Sequence, residues 1–254
     1  NLQYLITEEL INAQSDFHNT GSAAILMNVQ NGEILSLISL PDYDLNKRIS
    51  INDDIYINKI TLGVYELGSV FKTFTIAAAL ENKLINPNTI FKNLENSITC
   101  DKYTISEHDK LPKNLSVEQI LVQSSNIGAV RIAQKIGIEK YKNFLNSLEL
   151  LHAINFDLEE IGTPIPFKWG KCKLATASYG HGIATTPLQV ARAYAILGNG
   201  GYKIKPTFLK NKIKSSEKRE QIISEKTSNA INLMLRKVVS LNEGTANFAD
   251  IKGY

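Results

Sequence analysis

The chain has 254 residues, 43% hydrophobic and 21% charged, and its 28 basic and 25 acidic side chains leave a net charge of +3. This is a globular composition, long enough for one large domain or two subdomains. The basic residues are scattered apart from a cluster at Lys203 to Arg219, which reads best as a solvated loop or ribbon, so no nucleic-acid partner is expected. No run reaches the eighteen or so apolar residues of a membrane span. Cys100 and Cys172 have no His or Cys at ligand spacing, so no metal, cofactor or disulfide framework is expected, and both read as small buried hydrophobes.

The chain opens inside a helical pattern, Leu2 to Ala13, with no leader or cap, and is expected to be cut from something longer. Residues 22–30 and 33–40 are strand-like runs joined by Asn31-Gly32, a strong hairpin signal. Their mixed apolar character predicts a sheet with helices on each side. Pro41 ends the second strand, and Asp42 to Asp54 is a polar loop. After the breaker Gly68, a helix is predicted with Phe71, Phe74, Thr75, Ala78 and Ala79 on its inward stripe, which puts Ser69 at the helix start.

Residues 82–115 read as an irregular crossing with little regular structure. Ser116 to Gln119 is a capping box opening Ile120 to Val122, and the helix breaks at Gln123-Ser124-Ser125-Asn126 before a new periodic segment from Ile127. Ser124 and Asn126 therefore sit in a turn between two helices. A helix follows over Lys140 to Leu151. Thr186-Pro187-Leu188-Gln189 starts another, which Gly198 stops, and Gly200-Gly201 makes a turn. Ser224 to Ser240 is a last amphipathic helix, with Ile231, Leu235, Val238 and Val239 inward. There is no internal repeat.

The chemistry concentrates at Ser69 and Lys72. Three residues apart on one helix side, they can act as nucleophile and base if that side lines a cleft. A lysine takes a serine proton only when burial or nearby positive charge lowers its pKa. The positive helix end and the apolar Phe71 and Phe74 supply both, and free first-turn N–H groups suit an oxyanion. Ser-x-x-Lys alone is more often a capping serine and a surface lysine, so the rest of the chain must decide.

Five ordered segments do so: Tyr65-Glu66-Leu67-Gly68-Ser69-Val70-Phe71-Lys72, Ser124-Ser125-Asn126-Ile127-Gly128, Gly180-His181-Gly182 through Pro187-Leu188-Gln189, Asn199-Gly200-Gly201 and Glu243-Gly244-Thr245. Together they resemble the transpeptidase domain of class B penicillin-binding proteins, over nearly the whole chain, and Tyr179 to Gly182 is closest to the septal branch. The resemblance implies an α/β (α+β) fold of the penicillin-binding-protein/β-lactamase type: an antiparallel sheet flanked by helices plus a mostly helical subdomain, with the C-terminal strands missing. Residues 1–80 would hold the sheet hairpin and nucleophile helix, and 81–254 the helical subdomain and connecting segments.

The activity it implies is a peptidoglycan D,D-transpeptidase that crosslinks stem peptides through a serine acyl-enzyme and is a target of β-lactams. Ser69 matches the nucleophile and Lys72 its base; Ser124 matches a proton relay, and Asn126 a group holding Lys72 and the substrate amide. Stem peptides ending in D-Ala-D-Ala, β-lactams and divisome membrane proteins are the implied partners. The implied location is the periplasmic face of the inner membrane, with the parent anchored by an N-terminal transmembrane helix absent here. His181, in a Gly-His-Gly loop near the site, has no role in the family's chemistry. Glu159 and Glu160 read as a solvated pair, and Trp169 as packing.

The family's third motif, Lys-Thr-Gly or Lys-Ser-Gly, does not occur in these residues; it is expected within about ten residues beyond Tyr254, so the fragment alone would be nearly inactive. Two other readings share parts of this pattern. A serine β-lactamase or β-lactam sensor also has Ser-x-x-Lys, and a non-catalytic divisome scaffold would only bind partners.

Overall fold

A computed structural model describes residues 1–47, 54–210 and 219–253. The expected loop at 42–54 and the basic cluster at 203–219 lie partly outside these residues. Helix α1 (Leu2–Phe17) runs four residues past its predicted end, to His18 in a left-handed conformation (φ 52°). It lies on the antiparallel hairpin β1 (Ser22–Met27) and β2 (Ile34–Leu40), with Ser22 opposite Leu40. In β2, Ile34, Ser36, Ile38 and Leu40 alternate as the buried set, as the two-residue period of a strand requires.

Asn31-Gly32 does not form a two-residue turn. Asn28 and Glu33 close a longer loop, and Gly32 (φ 76°) lies against the backbone of Lys205, where a Cβ would sit 2.2 Å from the carbonyl oxygen. The outer edge of β2 is covered at two positions. Ile34 N–H donates to Thr207 O at 2.9 Å, and the side-chain amide of Gln3 bonds both the N–H (3.1 Å) and the C=O (2.9 Å) of Leu37.

Strand β3 (Tyr65–Glu66) leads through a 3-10 turn, Gly68–Val70, into α2 (Phe71–Glu81). Every residue of α2 from Phe71 to Ala79 is buried, so the stripe read from the sequence is one side of a helix enclosed all round. Phe71 and Phe74 are fully buried, each contributing about 2–3 kcal/mol. Around α2 pack α4 (Asn126–Ile136), α5 (Ile138–Ser147) and α8 (Glu225–Ser240).

The segment at 82–115 is more ordered than expected. It holds β4 (Ile90–Phe91), β5 (Ser97–Cys100) and β6 (Tyr103–Ser106); β4 pairs with β7 (Leu115–Ser116) and β5 with β6. Short strands built from mixed polar residues carry no alternation long enough to read. Both predicted capping boxes form, Ser116 with Gln119 before α3 (Val117–Val122) and Thr186 with Gln189 before α7 (Pro187–Gly198), which packs against β1.

The cysteine reading is corrected. Cys100 and Cys172 are half-buried and bonded to each other, with their Cα atoms 5.5 Å apart. The bond ties β5 to α6 (Lys171–Ala177), a helix the sequence did not signal. Its partners are 72 residues apart, and a lone pair at that separation leaves no local pattern.

Candidate active site

Gly68 (φ 62°) turns the chain from β3 into the turn that carries Ser69, and β8 (Ala184–Thr185) pairs with β3 to hold it. Behind the turn, the Tyr194 hydroxyl donates to Val70 O, 2.9 Å away, and lies 2.9 Å from Thr73 Oγ1. Across from it, Gly180 (φ 81°) presses so closely on Gly68 that a Cβ would lie 2.0 Å from the Gly68 carbonyl oxygen. Lys173 Nζ holds the same loop at Gly182 O, and Thr75 Oγ1 donates to Ser178 O at 2.7 Å. These contacts fix one wall of a cleft of about 390 Å³ lined by Glu66, Ser69, Ser106, Asn126, Tyr179 and His181, among others.

Ser69 is exposed in this cleft, on the first turn, where its own N–H has no intrahelical partner. Lys72, three residues on, is 1% exposed. Its amine donates to Ser124 Oγ at 2.8 Å and to Ser124 O. Burial pulls its pKa down to about 8, against the opposing pull of the Glu107 carboxylate. The Lys72 amine is thus buried with its pKa lowered, the condition the sequence argument set for a base.

The structure brings Lys72 and Ser124 into direct contact and places Ser69 and Asn126 in the same cleft. It forms no hydrogen bond from Lys72 to Ser69, and Asn126 does not bond Lys72: its Nδ2 donates to Ser106 O at 2.9 Å. Ser124 stands between α3 and α4 with φ 54°, the left-handed conformation that closes a helix end, its N–H donating to Leu121 O at 3.1 Å. The turn is pinned from two sides. Thr245 N–H donates to Val122 O at 3.2 Å, which gives the Gly-Thr pair at 244–245 a structural purpose.

From the other side comes a residue the sequence reading missed, Glu107, just past β6. Its carboxylate accepts three hydrogen bonds, from Ser125 Oγ (2.6 Å), Asn126 N–H (2.7 Å) and Ile127 N–H (3.0 Å). A carboxylate capping a helix 19 residues further along has no local sequence signature.

His181 stands at the rim, its Nδ1 3.1 Å from Glu66 Oε2 and its ring stacked on Tyr179. Burial, with Glu66 nearby, raises the Tyr179 phenol above its ordinary range. Glu159 and Glu160 are exposed and outside the cleft, and Trp169 packs edge-on against Tyr141. No group of three or more His, Cys, Asp or Glu side chains that could hold a metal occurs among the described residues.

The family described as "Penicillin binding protein transpeptidase domain" matches residues 22–254. The probable peptidoglycan D,D-transpeptidase FtsI of Caulobacter vibrioides is 31% identical over 254 residues, covering 99% of this chain and 43% of that protein. The peptidoglycan D,D-transpeptidase FtsI of Buchnera aphidicola (subsp. Baizongia pistaciae) is 36% identical over 247 residues, covering 91% of this chain and 41% of its own length. The chain therefore spans less than half the length of these relatives. Among solved structures, the apo transpeptidase domain of Burkholderia pseudomallei penicillin-binding protein 3 superposes with a TM-score of 0.86 at 28% identity, covering 99% of this chain and 72% of that one.

Proposed function

The chain belongs to the penicillin-binding-protein transpeptidase family, and from that premise we propose that the full-length protein is a septal peptidoglycan D,D-transpeptidase working through Ser69. One observation carries the reading: a buried amine, Lys72, with a pKa near 8, hydrogen-bonded to Ser124 one turn from an exposed serine in an open cleft.

Ser69 Oγ attacks the carbonyl carbon between the two terminal D-alanines while Lys72 Nζ takes its proton. The tetrahedral adduct collapses, the C–N bond breaks, and Ser124 relays that proton to the departing D-alanine amine. An amine of a neighbouring stem peptide then attacks the acyl-enzyme ester and gives its surplus proton to Lys72; the ester C–O bond breaks, Lys72 passes that proton to Ser69 Oγ, and the crosslinked amide leaves. The Ser69 N–H supports one side of the oxyanion, and Asn126, on the cleft wall, is the group to orient the substrate amide. A β-lactam acylates the same serine, but its leaving nitrogen stays tethered after the ring opens, so the ester persists.

The relatives' names support cell-wall work outside the cytoplasm, and a disulfide fits an oxidising compartment. The proposal extends to the periplasmic face of the inner membrane, an N-terminal membrane anchor and divisome partners. No helix among the described residues is long and apolar enough to cross a membrane. The test is fluorescent-penicillin labelling of the full-length protein. Wild type should carry a stable label and Ser69→Ala none; rapid turnover of a chromogenic cephalosporin would instead favour a β-lactamase.

A further inference from the structure

We propose that Glu107 is a positioning residue of the acylation step, clamping the turn that sets Ser124 on Lys72 and presents Asn126 to the cleft; the inference rests on the transpeptidase reading above. The backbone closes the end of α3, Ser124 N–H donating to Leu121 O at 3.1 Å and Ser125 N–H to Ile120 O at 2.9 Å, but neither bond restrains the start of α4. Ser124 is left-handed without being glycine, and its hydroxyl must stay 2.8 Å from Lys72 Nζ for a proton to pass. With Thr245 holding the α3 side, the restraint on the α4 side comes from just past β6, through one carboxylate that takes three donors from consecutive residues 125–127.

The chemistry of those donors makes the charge matter. Ser125 Oγ already accepts Gly128 N–H at 2.8 Å as the α4 cap, so its single proton points to Glu107. Asn126 N–H points to the second oxygen. An amide at position 107 would turn an NH₂ towards one of these donors, and the clamp would open on that side. The carboxylate also complements the positive N-terminal end of α4.

Glu107 acts on Lys72 as well, its negative charge favouring the ammonium form against desolvation. The other titratable groups on this cleft are Glu66, His108, Tyr179 and His181, and none of them is a cause of the Lys72 shift. Removing the charge therefore has two separable effects. A loosened turn lowers the limiting acylation rate, while the freed Lys72 loses its proton at lower pH.

The experiment measures fluorescent-penicillin acylation of the full-length protein against pH, per folded molecule as judged by thermal unfolding. Wild type, Ser69→Ala, Glu107→Gln and Glu107→Asp are compared. Glu107→Gln should lower the plateau by about ten- to a hundredfold, the range expected for hydrogen bonds to a charged group, and move the midpoint to lower pH. Glu107→Asp keeps the charge and should hold the wild-type midpoint with a partly restored plateau, a result readable even where the Gln variant folds poorly. A wild-type rate in Glu107→Gln, or a lowered plateau with an unmoved midpoint, would overturn the assignment. An unlabelled wild type or a labelled Ser69→Ala would overturn the transpeptidase reading itself, and this inference with it.

Discussion

Burial of Lys72 fixes how acylation should respond to pH. A free lysine has a pKa near 10.4, so at pH 7 only about one in 2,500 is neutral. With the amine held at about 8, about one in ten is neutral, a gain of roughly two hundredfold in working base. The acylation rate of the full-length protein should climb close to tenfold per pH unit below 8 and level off above it. The same burial lowers stability. The folded state releases the Lys72 proton near pH 8 and the unfolded chain near 10.4, so between those values the unfolded state binds more protons and stability rises with pH, by up to about 3 kcal/mol. Both curves can be measured on one preparation, by rapid-quench labelling with fluorescent penicillin and by denaturant unfolding from pH 6 to 10. Lys72→Met should remove labelling and flatten the stability curve. A labelling midpoint near 10, or normal labelling of Lys72→Met at neutral pH, would refute the argument.

Two further outcomes follow from the walls of the cleft. Gly180→Ala puts a methyl group 2.0 Å from the Gly68 carbonyl oxygen at a φ of 81°, so the two loops must separate; labelling should fall at least tenfold, and an unaltered rate would mean that this contact does not set the Ser69 turn. Removing the disulfide as a Cys100→Ser/Cys172→Ser pair frees a loop with a sequence separation of 72 residues, worth about 4 kcal/mol of chain entropy. That corresponds to a Tm lower by roughly 8–16 °C, and calorimetry finding no change would show that the bond constrains nothing the fold does not already hold.

What could be read in advance was local. The boxes at Ser116/Gln119 and Thr186/Gln189 are contacts three residues apart, and both formed. The Ser69–Lys72 spacing and the turn between two helices at 124–126 likewise depend on neighbours in the chain. What escaped was set by partners far away. Glu107 reaches across to α4, Cys100 to Cys172, and Asn126 turned to Ser106 rather than to Lys72. The glycine of Asn31-Gly32 was recognised, but its reason was the backbone of Lys205 and not a tight turn. Helix α6 is seven residues long, and its order comes from the disulfide and the core around Leu174 and Ala175, which no seven-residue window displays.

The cover over β2 bears on how molecules of this protein meet one another. An open strand edge offers alternate N–H and C=O groups to any extended chain nearby and so invites self-association. Here Thr207 occupies one rung and the side-chain amide of Gln3, imitating a peptide group, occupies another. A crowded population of copies therefore finds those rungs of β2 already taken, and the blocking group comes from a helix side chain that can be exchanged without touching the sheet.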